Sequence, residues 1–166
     1  MTPKQPGIAP STKLDAVLGW FTWILLAALW LFALVNYAIL PQKIPVHFNA
    51  LGQADGFGSK SSIFSLPLVA TLIALVLAVL KNHLPQVSGR SYGPAGGYRQ
   101  VAPRLTQRLL GLLQLGVVLL CFSLVFLTYL TAHNKAGGLD LLVLPVSLGL
   151  LIGPTLWYVF RVFRKG

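Results

Sequence analysis

The chain has 166 residues, 55% hydrophobic and only 10% charged, with 13 Lys and Arg against 3 acidic residues and a net charge of +10. Soluble domains carry about 25% charged residues, so this composition excludes a soluble globular domain and makes lipid the solvent. Nucleic acid is excluded as a partner because the basic residues flank apolar runs and do not interleave with aromatic ones.

Residues 1–13 are Pro-rich and read as a cytoplasmic tail carrying Lys4 and Lys13; 14–162 read as one membrane domain, and 163–166 as a cytoplasmic end. Ala16 to Leu40 carries no charge and exceeds the roughly 20 residues that cross a bilayer. It is too long for the core of a signal peptide and no small-residue cleavage site follows it, so 16–40 is expected to remain as the first span. Trp20, Trp23 and Tyr37 stand near its ends, where aromatic belts belong. A polar segment, 41–62, follows and is expected to face outward. Ile63 to Leu80 is the second charge-free run, with Pro67 in its first turns and Ser61 or Ser62 as its cap. The segment 82–108 is rich in Gly and Pro and reads as a flexible cytoplasmic loop that includes His83; 109–130 and 141–160 complete four spans. The expected fold class is an all-α membrane protein, a four-helix bundle with a short outer motif loop able to close as a small β-hairpin.

Charge sets the orientation. Ten of the thirteen basic residues lie in the amino tail, in the 82–108 loop with Lys81 just before it, and at the carboxyl end, while Lys43, Lys60 and Lys135 lie on the opposite side. The positive-inside rule then places both termini in the cytoplasm. No Asp, Glu, Lys, Arg or His stands in the middle of a predicted span, which argues against a coupled pump. Asn36 and Gln114 read as interhelical hydrogen-bonding groups. Gly149 and Gly153 form a GxxxG on the fourth span, a close-packing face either inside the bundle or, in a homo-oligomer, at a seam between copies.

The 41–60 segment holds the clustered polar candidates: Pro45, His47, Phe48, Asn49, Gly52, Asp55, Gly58 and Lys60. Pro41 and Pro45 fix the entry, and Ala54-Asp55-Gly56-Phe57-Gly58 is expected to supply the turn, Asp by bonding its own backbone and Gly by positive φ. His47, Asn49 and Asp55 have two principal readings, hydrogen bonds that knit the loop or recognition of a ligand. A His–Asp pair can also hold a metal or run acid–base chemistry, but no third His or Cys is near in sequence and no Ser-His-Asp order exists. No catalytic residue, metal or other cofactor is expected. His133, in the second outer loop, is placed to approach this segment. Cys121, the single cysteine, lies in an apolar run and provides neither an intrachain disulfide nor a metal set.

The series Leu40-Pro41, Ile44-Pro45, His47-Phe48-Asn49, Gly52, Asp55 and Gly58-Ser59-Lys60 resembles the signature of a bacterial membrane family, domain of unknown function 1648. That domain also opens the SdpI-type immunity proteins, which protect cells from a secreted toxic peptide. The resemblance implies a bacterial inner-membrane protein with an outward-facing motif loop. Two classes of function follow: a non-enzymatic protein that senses a peptide or envelope ligand through 41–60, or a transport, channel or scaffold component of the membrane.

Overall fold

The computed structural model describes residues 13–49, 53–87, 103–133, 149, 152–157 and 160. Three helices within it are long and apolar enough to cross a membrane. Helix α1 spans Lys13–Tyr37, strands β1 Lys43–Phe48 and β2 Ala54–Ser59 pair as an antiparallel hairpin, and a 3-10 turn at Lys60–Phe64 leads into α2, Ser65–Val87. Helix α3 runs over Pro103–Ala132.

Three of the four spans expected from composition are present, with shifted ends. Helix α1 begins at Lys13 and stops at Tyr37, short of Leu40, because the Asn36 carbonyl accepts the amides of both Ile39 and Leu40 and closes a turn before Pro41. Helix α2 runs past Lys81 to Val87 and α3 starts at Pro103, so both ends of the expected 82–108 loop, His83 included, are helical; 88–102 lie outside the described residues. Of the two serines expected to cap α2, Ser61 meets Ser59 side chain to side chain, and the Ser62 carbonyl accepts the Ser65 hydroxyl at 2.7 Å. Of the fourth expected span, 141–160, helical backbone is described at Gly149, 152–157 and Phe160, and the remainder lies outside the described residues.

The bundle is organised around α3, which packs on both α1 and α2, while α1 and α2 touch each other little. Helix α1 buries a single stripe, Thr22, Leu26, Leu29 and Ala33, at helical spacing. Its remaining large apolar side chains, such as Trp20, Ile24, Leu31 and Val35, stay exposed, as a lipid-facing surface requires. Helix α2 meets α3 through Ala70 and Ala74, both fully buried, and the small side chain at Ala74 lets Gln114 of α3 donate to its carbonyl at 3.2 Å. The expectation for Gln114 therefore holds, whereas Asn36 donates within its own helix, to the Phe32 carbonyl at 2.8 Å. Aromatic contacts complete the seams. Phe32 sits 5.4 Å from Tyr129 and 5.8 Å from Phe126, and the Trp30 indole donates to Thr71 at 2.9 Å across α1 and α2. At the end of the bundle away from the hairpin, the half-exposed Arg108 reaches the buried Asp15 at 3.3 Å.

Candidate functional site

The hairpin closes from its base outward. The Lys60 amide donates to the Gln42 carbonyl at 3.0 Å, and Lys43 pairs with Ser59 in register. At the far end Asn49 donates its amide to the Gln53 carbonyl at 2.9 Å and accepts the Gln53 amide on its side-chain oxygen at 2.9 Å. The chain thus reverses between Asn49 and Gln53, and the expected turn at 54–58 is instead strand β2. Gly56 and Gly58 serve close approach. A β-carbon at Gly56 would lie 2.9 Å from the His47 β-carbon, and one at Gly58 would lie 2.9 Å from Val46 Cγ1 and 3.2 Å from the Ser62 hydroxyl. Two irregularities compensate: Val46 is the extra residue on β1 and Asp55 the extra residue on β2, so the register regained at Phe48 and Ala54 is an ordinary one.

These bulges re-aim side chains. Ile44 and Pro45 are buried, and β1 packs on α3. Val46, His47, Asp55 and Phe57 are exposed. His47 donates from Nδ1 to the Asp55 carboxylate at 2.5 Å, with the two side chains 71% and 45% exposed. The carboxylate fixes the ring and leaves Nε2 as its other polar atom. Lys60 lies with its ammonium 4.7 Å over the Tyr37 ring, tying the base of the hairpin to the end of α1.

The sequence candidates are thus distributed over three tasks. His47 and Asp55 meet at the surface, Asn49 closes the reversal, and Pro45, Gly58 and Lys60 hold the hairpin against the bundle. Gly52 lies outside the described residues. His133 does not join them: its ring donates to the Tyr129 carbonyl at 3.0 Å and lies 4.6 Å from the Tyr129 ring at the end of α3. Among the described residues no three His, Cys, Asp or Glu side chains gather as a metal set. Nothing among the described residues lies within 4 Å of a β-carbon placed at Gly149 or Gly153.

A cleft of about 170 Å³ lies beneath β1, walled by Ile44 and Val46 of the hairpin, Leu66 of α2 and Leu124 of α3, with Ser62 and Thr128 also among its lining residues. Sequence reading missed it, treating Ser62 as a helix cap and giving Thr128 no part. A hydroxyl cluster in the last turns of α3, after a long apolar stretch, was the available signal.

Residues 24–71, which run from within α1 through the hairpin into α2, match the model of the domain of unknown function DUF1648. Over 85 residues the chain is 35% identical to an uncharacterized protein of Archaeoglobus fulgidus, covering 47% of this chain and 46% of that one. The chain therefore spans less than half the length of that relative. No solved structure matches. The helix–hairpin–helix segment at 24–71 is thus similar to DUF1648, in a chain whose described residues carry three helices long and apolar enough to cross a membrane.

Proposed function

We propose that the protein is a non-enzymatic, multi-pass protein of the plasma membrane, with both termini cytoplasmic, and that its hairpin recognises an amphipathic, envelope-derived ligand on the outer face. One observation carries the reading. The His47–Asp55 pair is ordered at 2.5 Å yet exposed, on a hairpin whose opposite side is anchored by Ile44 and Pro45. An exposed pair of this kind contributes only about 0–1 kcal/mol to folding, so its ordering is available for binding at little entropic cost. Val46 and Phe57, both exposed, add apolar contact beside it. The immunity role suggested by the SdpI-type resemblance is the specific form of this reading.

The test is growth of a deletion strain under membrane-active peptides and envelope stress, complemented by wild type or by a His47→Ala, Asp55→Ala double variant. We expect the variant to reach wild-type levels in the membrane, to lose less than about 1 kcal/mol of stability, and to fail in complementation. Full complementation by a stably folded variant overturns the assignment of these residues.

A further inference from the structure

We infer that the cleft beneath β1 takes one acyl chain of a bilayer phospholipid, so that the hairpin reads a lipid held by its tail. This rests on the recognition reading above and names its chemistry. Depth is the first argument. Leu124 and Thr128 stand eight and four residues before the end of α3 at Ala132. At about 1.5 Å per residue the cleft reaches roughly 6–12 Å below that end. The polar zone of one leaflet is only about 5–8 Å deep. With the end of α3 taken at the outer surface of the bilayer, the floor of the cleft stands at the level of hydrocarbon.

Its neighbours agree. Leu68, Val69 and Phe126, within three positions of lining residues, are 54%, 44% and 42% exposed, which only an apolar solvent tolerates for a group of large side chains. Size is the third argument. A dry apolar cavity of about 150 Å³ holds a benzene-sized guest, whereas whole-ligand pockets start near roughly 300 Å³. At about 170 Å³ the cleft fits a length of chain and not a complete amphiphile. The polar lining is placed to suit: Ser62 and Thr128 stand nearer the helix ends than Leu66 and Leu124, where ester oxygens of a seated lipid can accept their protons.

The experiment uses the full chain in vesicles of phosphatidylethanolamine with minor phosphatidylglycerol, a trace of the latter bearing a mid-chain diazirine on one tail. After photolysis, cross-links are mapped by peptide mass spectrometry. Labelling is expected to concentrate at 62–66 and 124–128, above the exposed α1 stripe around Leu34 and Val35. Leu124→Trp fills the cleft from α3 and Leu66→Trp fills it from α2. Displacing two buried methylenes corresponds to about a ten-fold loss, so cleft labelling should fall about ten-fold in whichever variant retains the wild-type unfolding curve, with α1 labelling unchanged. Cleft labelling no stronger than that of α1 overturns the inference, as does labelling that persists in a folded filled variant. Displacement by an amphipathic peptide but not by excess unlabelled phospholipid also overturns it, by assigning the cleft to a peptide side chain. An unlabelled cleft in a protein whose hairpin variant still fails complementation removes the lipid and leaves the recognition reading standing.

Discussion

Gly56 and Gly19 are both glycines flanked by ordered backbone, yet they respond to a methyl group in opposite ways. At Gly56 the added carbon would meet the His47 β-carbon at 2.9 Å, where ordinary cross-strand pairs are separated by about 4.5–5.5 Å. Neither atom is the free end of a flexible side chain, so the strands must part. Gly56→Ala is expected to cost about 1–3 kcal/mol. Gly19 in α1 has nothing within 4 Å, and Gly19→Ala should gain about 0.5–1 kcal/mol from helix propensity alone. Unfolding in mixed detergent micelles reads both, and equal effects at the two positions would contradict the packed hairpin. The same geometry explains what sequence could and could not tell about the site. His47 and Asp55 were legible as partners because eight residues separate them across one reversal. The position of that reversal was not, because glycine answers equally to positive φ and to crowding. Here Gly56 and Gly58 answer to crowding, and the reversal belongs to Asn49 and Gln53.

Elements were read from hydropathy, a one-dimensional property, so the presence of α1, α2 and α3 was legible while their ends were not. The end of α1 depends on a carbonyl at Asn36 serving two amides, and the start of α2 on a 3-10 turn that composition does not announce. The cleft was illegible for a deeper reason: its walls come from three separate segments that only assembly brings together. Between elements, small residues and one indole decide the fit. Ala74→Leu would push α2 from α3 and break the Gln114 bond, with an expected loss of about 1–3 kcal/mol. Trp30→Phe keeps most of the stacking on Phe64 but removes the donor to Thr71. Such interhelical bonds average about 0.6 kcal/mol and reach about 1.7, so Trp30→Phe should be the milder variant. A steeper loss for Trp30→Phe than for Ala74→Leu would mean that α1 and α2 hold each other directly.

For the molecule as a whole, the described charges separate by end. Lys13, Lys81 and Arg108 stand at the helix ends away from the hairpin, and Lys43 and Lys60 at its base. On the proposed orientation, Gln53→Cys reacts with a membrane-impermeant maleimide in intact cells, whereas Asn82→Cys reacts only after lysis. The opposite pattern would put the hairpin in the cytoplasm and remove the envelope ligand. The central place of α3 also has a bearing on how the protein is made. The segment that matches DUF1648 ends at residue 71, before α3 begins, and its two helices lean on α3 far more than on each other. During synthesis α1, the hairpin and α2 leave the ribosome first and enter the bilayer without the surface they fit. Until the third span is released laterally, Ile44 lacks the α3 surface that β1 packs on and the Gln114 bond to Ala74 has no donor. The nascent chain therefore passes through an inserted but unassembled stage, open to chaperones and membrane proteases, and arrival of α3 is the event that ends it.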